Sequence, residues 1–262
     1  MELPFFSFCD RISSNVRMGL GPSGAAGRRL VIRQINRDLG RYRMFDHELV
    51  TKTEEFLNQK FEDAIFLNEH PEAKAYRLEH TYRVANIGRE IAVKEGFDET
   101  EMVIACLLHD VAYCEEFGED GWKEHGRHSA QIARPFLKGL GLPENRINDI
   151  CYGIAVHVDE KADFPGENTP FALSVGDADN IDRFDAYRIH ETLNHDSFLQ
   201  MTYEEKTDYL EKRLSRLREL RALPFSTKTA DALWKSRLDF YIVFFQKLAD
   251  QLERSKNVIV NG

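Results

Sequence analysis

The chain has 262 residues, of which 42% are hydrophobic and 30% charged. That balance describes an ordinary globular protein, with length for one large domain or one domain with extensions. Its formal net charge of −9 speaks against a general nucleic-acid binder, because phosphate backbones attract basic surfaces.

The same charge leaves room for a small phosphorylated ligand, since a bound cation reverses the field locally. No apolar run approaches the ~18 residues that span a bilayer, and the opening Met1–Phe8 lacks the basic flank of a secretory signal. A cytoplasmic location is expected. Cys9, Cys106, Cys114 and Cys151 show neither CxxC spacing nor the density of a disulfide framework, and read as reduced, mostly buried thiols.

Taken in order, residues 1–28 stand apart, punctuated by Gly19, Gly21, Gly24 and Gly27. They read as a flexible appendage; the stretch lacks the Lys-Ser/Thr of a phosphate-cradling loop. Residues 29–262 read as a single helical domain with N- and C-terminal helical extensions. Asp46 caps a helix expected from His47 to about Asn68, which Pro71 breaks. A second helix runs from about Ala73 to Lys94 and stops at Gly96, with His80 near its apolar side. The third covers Glu99–Tyr113. After a charged loop over 115–121, a fourth runs from Trp122 to Leu140, where Pro135 should kink or interrupt it. Pro143 starts a fifth, ending near His157, and a loop follows with Pro165, Gly166 and Pro170. A sixth helix carries Phe171–Asp182, and two more, about Tyr203–Leu220 and Thr227–Ser255, close the chain. No stretch alternates convincingly as a strand. The class is all-α.

Chemistry gathers around Val103–Leu108, an apolar run that ends abruptly in His109-Asp110. Such a run belongs in a core, and a His-Asp pair carried to its edge needs a partner. A divalent metal suits both ligand types. On a continuous helix, neighbours diverge by about 100°, so one ion takes both only where the helix ends or the side chains lean inward. His80 alone reads as a core histidine bonded to a carbonyl. His125 and His128 share a helix face, His157 terminates an apolar helix, and Asp177, Asp179 and Asp182 follow another apolar run. Each alone is better explained structurally.

Together and in this order, they resemble the HD-domain superfamily of metal-dependent phosphohydrolases, all-α proteins defined by an H…HD…D ligand set. The resemblance covers about residues 70–245 and rests on the LLHD run, the HGRHSA segment, the Ala-Val-His157 helix end and the DADNID segment. The stretch Leu223–Phe245, with Thr227, Ala230 and Arg237, is similar to the tail of small bacterial members. The resemblance implies His80, His109, Asp110 and Asp179 as primary metal ligands. It adds His125 and His157 as the histidines of two-metal members, with Asp110 as the bridge. Asp177 is expected to orient a ligand from behind. The GYP element of the cyclic-di-GMP phosphodiesterase branch is absent.

The function implied is hydrolysis of a nucleotide or other small phosphate ester by metal-activated water, with Asp110, His128 and Lys123 in catalytic roles. Arg83, Arg127 and Arg183 are expected to meet the phosphate. The implied cofactor is a divalent metal (manganese, iron, zinc, magnesium, nickel or cobalt), one or two ions per chain. The implied partner is a small phosphorylated substrate, with no nucleic-acid polymer and no membrane; a homodimer stays open. Two other readings compete: a di-iron HD-type oxygenase, and a non-catalytic HD ligand-sensing module.

Overall fold

The computed structural model describes residues 45–116 and 123–256. The appendage expected over 1–28, most of the 115–121 loop and Trp122 lie outside the described residues. Among the described residues the structure is α-helical, with short 3₁₀ turns and no strand. None of these helices is long and apolar enough to cross a membrane.

Helix α1 (His47–Asp63) starts where Asp46 accepts from the backbone N–H of Leu49. It ends at Ala64, which turns extended, so the single helix expected to Asn68 is two: α2 (Ile65–Asn68) is one turn. Pro71 opens α3 (Pro71–Glu95) at its first position, where the missing N–H has no intrahelical partner to lose. Gly96, in the left-handed conformation with φ 73°, closes it.

Helix α4 (Glu99–Leu108) is the axis of the fold. Asp98 caps it, and Met102 through Leu108 are all buried. A helix apolar on every side must be covered on every side, and α1, α3, α6 and α7 supply the cover. The expected helix to Tyr113 stops at Leu108: Asp110 leaves helical geometry (φ −108°, ψ 14°) and a 3₁₀ turn, Val111–Cys114, follows. That break lets His109 and Asp110 face one site.

Helix α5 (His125–Gly139) runs on through Pro135. The carbonyl that Pro135 cannot bond belongs to Gln131, and both residues are exposed, so water satisfies it. Meanwhile Ala130, Ala133 and Leu137 pin the other face in the core. Helix α6 (Glu144–Val156) ends at His157, and α7 (Pro170–Asp182) begins under a Thr169 cap. The stretch after it, assigned no element from the sequence, forms α8 (Ala186–His195). A long hairpin of α9 (Tyr203–Arg221) and α10 (Lys228–Arg254) packs against α7, with the Trp234 indole N–H donating to the Leu220 carbonyl at 2.9 Å.

Candidate metal centre

Four helices and the turn after α4 converge on one buried cluster. His80 comes from the middle of α3, His109 and Asp110 from the end of α4, His125 from the start of α5, His157 from the end of α6 and Asp179 from α7. All six are buried. Such close approach needs small residues between the helices. A Cβ on Gly126 would sit 2.8 Å from the Ala155 carbonyl oxygen and 3.0 Å from His157 Nδ1. A Cβ on Gly176 would sit 2.8 Å from the His157 carbonyl oxygen. Glycine at both positions is what admits His157 to the cluster.

Asp110 stands at the centre, and its two oxygens face different histidines. Oδ2 lies 3.8 Å from His80 Nε2 and 3.6 Å from His109 Nε2. Oδ1 lies 3.1 Å from His125 Nε2 and 3.6 Å from His157 Nε2. Asp179 Oδ1 completes the first side, 3.2 Å from His80 Nε2 and 4.0 Å from His109 Nε2. On the second side the Nε2 atoms of His125 and His157 are 3.0 Å apart. Ligands about 2.1 Å from a six-coordinate ion are separated by about 3.0 Å along each octahedral edge; the pairs at 3.0, 3.1 and 3.2 Å come close to that spacing, and the others are wider. Two overlapping triads result, His80–His109–Asp110 and Asp110–His125–His157.

Ring orientation is fixed from behind. His109 Nδ1 donates to the Cys106 carbonyl at 2.7 Å, and His157 Nδ1 to the Ile154 carbonyl at 2.7 Å. A carbonyl only accepts, so each imidazole carries its proton on Nδ1 and turns a lone pair into the cluster. His109 Nε2 is buried without a hydrogen-bond partner, an orphaned acceptor that a cation would satisfy. Burial lowers the His109 pKa to about 4, keeping the ring neutral and ligand-competent. The donor types and the orphaned nitrogen fit a divalent metal.

Behind His80 stands Asp182, whose Oδ2 accepts from His80 Nδ1 at 2.8 Å. Arg83 holds Asp182 in turn, Nε to Oδ1 at 2.8 Å and Nη2 to Oδ2 at 3.1 Å. The carboxylate expected to orient a ligand was Asp177. Its Oδ2 instead accepts from the Ser226 backbone N–H at 2.9 Å and from the Ser226 hydroxyl, anchoring the turn before α10. The spacing of three between Asp179 and Asp182 puts both on the face of α7 that meets His80.

Burial alone would raise the carboxyl pKa values, yet the Asp110 carboxyl is held well below its usual range by the imidazoles around it, with His125 Nε2 3.1 Å from Oδ1. Asp179 is held down by Arg183 and His80 against the same desolvation. Both are carboxylates at neutral pH. Burial also pulls His80 down, but Asp179 and Asp182 outweigh it and raise its pKa: the cluster favours positive charge at its centre.

The basic residues divide. Arg183 reaches the cluster, Nη2 to Asp179 Oδ2 at 2.9 Å, with its side chain 40% exposed, so it also faces incoming solute. Arg83 serves Asp182. Arg127 is bound by Asp159 at 2.9 and 3.1 Å, bracing the loop after His157. His128 lies outside the six-residue cluster, with Nε2 2.7 Å from Glu115 Oε2 on the exposed side of α5. Lys123 is exposed just before that helix.

Sequence reasoning missed two residues. Arg77 Nη1 lies 3.2 Å from Asp110 Oδ2, and its guanidinium sits 3.5 Å over the Tyr113 ring. The Tyr113 ring lies in turn 5.0 Å from that of His125. Burial, then Asp110, pushes the Tyr113 hydroxyl up to about 12, so it keeps its proton. The signal for Arg77 was its position three residues before His80, on the same face of α3. Tyr113 carried no signal, because its place depends on where α4 ends.

The family model of the HD domain matches residues 77–187, a span that holds all six clustered residues and Asp182. Among solved structures, a predicted HD superfamily hydrolase from an uncultured Thermotogales bacterium is similar, with 23% sequence identity and a TM-score of 0.52. The match covers 78% of this chain and 91% of that one, and at this identity it speaks for the fold. No curated protein matches the chain.

Proposed function

Because this chain is an HD-domain protein, we propose that it is a metal-dependent phosphohydrolase, acting on a nucleotide or other small phosphate ester. One observation carries the reading: Asp110 turns Oδ2 toward His80 and His109 and Oδ1 toward His125 and His157. A carboxylate shared between two histidine pairs is the donor arrangement of a two-cation site.

His80, His109, Asp110 and Asp179 would hold one divalent ion, and Asp110, His125 and His157 a second. Bound there, such ions supply Lewis acidity at a phosphoryl oxygen and make a neighbouring water more acidic. The rest falls to the chain's own residues. Arg183, 40% exposed beside Asp179, binds and orients the phosphate; Arg77, stacked on Tyr113, presents further donors beside Asp110 Oδ2. The Cys106 and Ile154 carbonyls keep His109 and His157 turned inward with the proton on Nδ1, and Asp182 orients His80 in the same sense.

The test is phosphate release across a nucleotide and phosphate-ester panel with manganese, magnesium, zinc, iron, nickel and cobalt in turn. Activity with a small phosphate ester, lost in Asp110→Ala, is expected. A second reading is favoured by the His125–His157 pair: a di-iron centre that activates oxygen. Iron in the purified protein with oxygen uptake, and no phosphate release, would select it.

A further inference from the structure

Beside the metal centre lies a separate cavity of about 390 Å³, on the far side of Asp182. Three guanidiniums line it: Arg83 from α3, Arg188 from the first turn of α8 and Arg237 from α10. Each carries five N–H donors, and the protein satisfies a minority. Arg83 Nε and Nη2 go to Asp182, Arg188 Nη1 to the Tyr76 hydroxyl and Glu191, and Arg237 Nη1 to the Ile181 carbonyl at 3.1 Å.

The carboxylates on the same wall are each engaged. Asp182 is shared between Arg83 and His80. Asp185 caps α8 through the Ala186 N–H at 2.7 Å and lies 3.4 Å from Arg237 Nε. Glu90 pairs with Lys94 at 2.6 Å. The lining therefore offers an entering solute an excess of donors over acceptors. A phosphate group, with several oxygens that each accept, is the ligand chemistry that answers this. The volume exceeds what a bare phosphate fills and lies in the range of small-molecule sites, about 300–1,000 Å³, which points to an organic phosphate about the size of a mononucleotide.

We propose that this cavity binds a phosphate-bearing small molecule through Arg83, Arg188 and Arg237, and that its occupancy is felt at the metal centre through Asp182 and His80. Asp182 is the wall between the two sites: it is 2% exposed, and one of its oxygens, Oδ2, accepts from both the Arg83 guanidinium and His80 Nδ1. A phosphate that draws on Arg83 leaves more of the Asp182 charge to His80, which makes His80 a more basic ligand. Anion in the cavity and cation in the centre also attract across that wall. Both effects have one sign: each ligand tightens the other, by the same factor. The coupling rests on the metal-ligand reading of His80; the binding of phosphate in the cavity does not.

The experiment uses the full chain and adenosine 5′-thiomonophosphate, which resists hydrolysis, with binding followed by calorimetry in wild type, Arg237→Gln, Asn86→Glu and Asp110→Ala. Asn86 is an exposed cavity residue on α3, so Asn86→Glu adds repulsion without touching the core. Binding that survives Asp110→Ala but weakens at least about tenfold in Arg237→Gln and Asn86→Glu is expected, together with a rise of about fivefold in manganese affinity when the nucleotide is present. No binding, or binding lost in Asp110→Ala and unchanged in both cavity variants, overturns the site. Binding in the cavity with unaltered manganese affinity overturns the coupling. Failure of phosphate release alone would count against the hydrolase reading and leave the cavity result standing.

Discussion

Asp182 Oδ2 lies 2.8 Å from His80 Nδ1, and this contact decides which nitrogen His80 turns toward Asp179. It makes the first prediction. Asp182→Asn offers His80 an amide in place of a carboxylate and leaves Arg83 without its ion-pair partner. Metal affinity should fall about 10–100-fold while helical content is kept. Titration with manganese checks this; unchanged affinity would remove Asp182 from the site.

Gly126 separates α5 from α6 at the second triad. An alanine there would place its Cβ 2.8 Å from the Ala155 carbonyl oxygen, and neither backbone segment can yield cheaply. Gly126→Ala should cost about 1–3 kcal/mol of stability, as overpacking does, and should loosen the ion held by His125 and His157. Urea unfolding and metal content together read both effects.

Asp177 and Asp179 separate by role. Asp177 accepts from Ser226, so Asp177→Asn exchanges a charged acceptor for a neutral one, at a cost of about 1 kcal/mol, and should keep its metal. Asp179→Asn should lose it, because a neutral amide is a poor ligand for a hard cation. Metal retention in the Asp179 variant and loss in the Asp177 variant would reverse the assignment.

Arg77→Gln tests the residue that sequence reasoning missed. Removing a donor aimed at a phosphoryl oxygen should lower kcat about 10²-fold with metal stoichiometry unchanged, since Arg77 touches Asp110 only through Oδ2. Steady-state phosphate release beside metal analysis decides it; loss of metal would make Arg77 a support for Asp110 instead.

Much of this architecture was legible in the residues. The cap at Asp46 begins a helix as expected, and ligands scattered from His80 to Asp179 meet in one cluster. What escaped were outcomes of tertiary packing. The end of α4 at Leu108 has no glycine or proline to announce it; the turn is imposed where His109 and Asp110 reach the cluster. Helix α8 is 10 residues long and buries only Ile189 and Thr192, an apolar face too small to stand out in the sequence. Pro135 is tolerated because Gln131 faces water, a fact about burial that local propensity does not contain. The exchange of roles between Asp177 and Asp182 has the same origin: both are carboxylates on α7, and only the arrangement of α3 and α10 around that helix decides which meets a histidine and which meets Ser226.

If Asp110 joins two cation sites, metal content per chain reports it. Wild type, His125→Ala and Asp110→Ala should be loaded with manganese, freed of excess ion and analysed for bound metal. About two ions per chain are expected in wild type, about one in His125→Ala, and nearly none in Asp110→Ala, because both triads lose a shared ligand. Full occupancy in Asp110→Ala would contradict it.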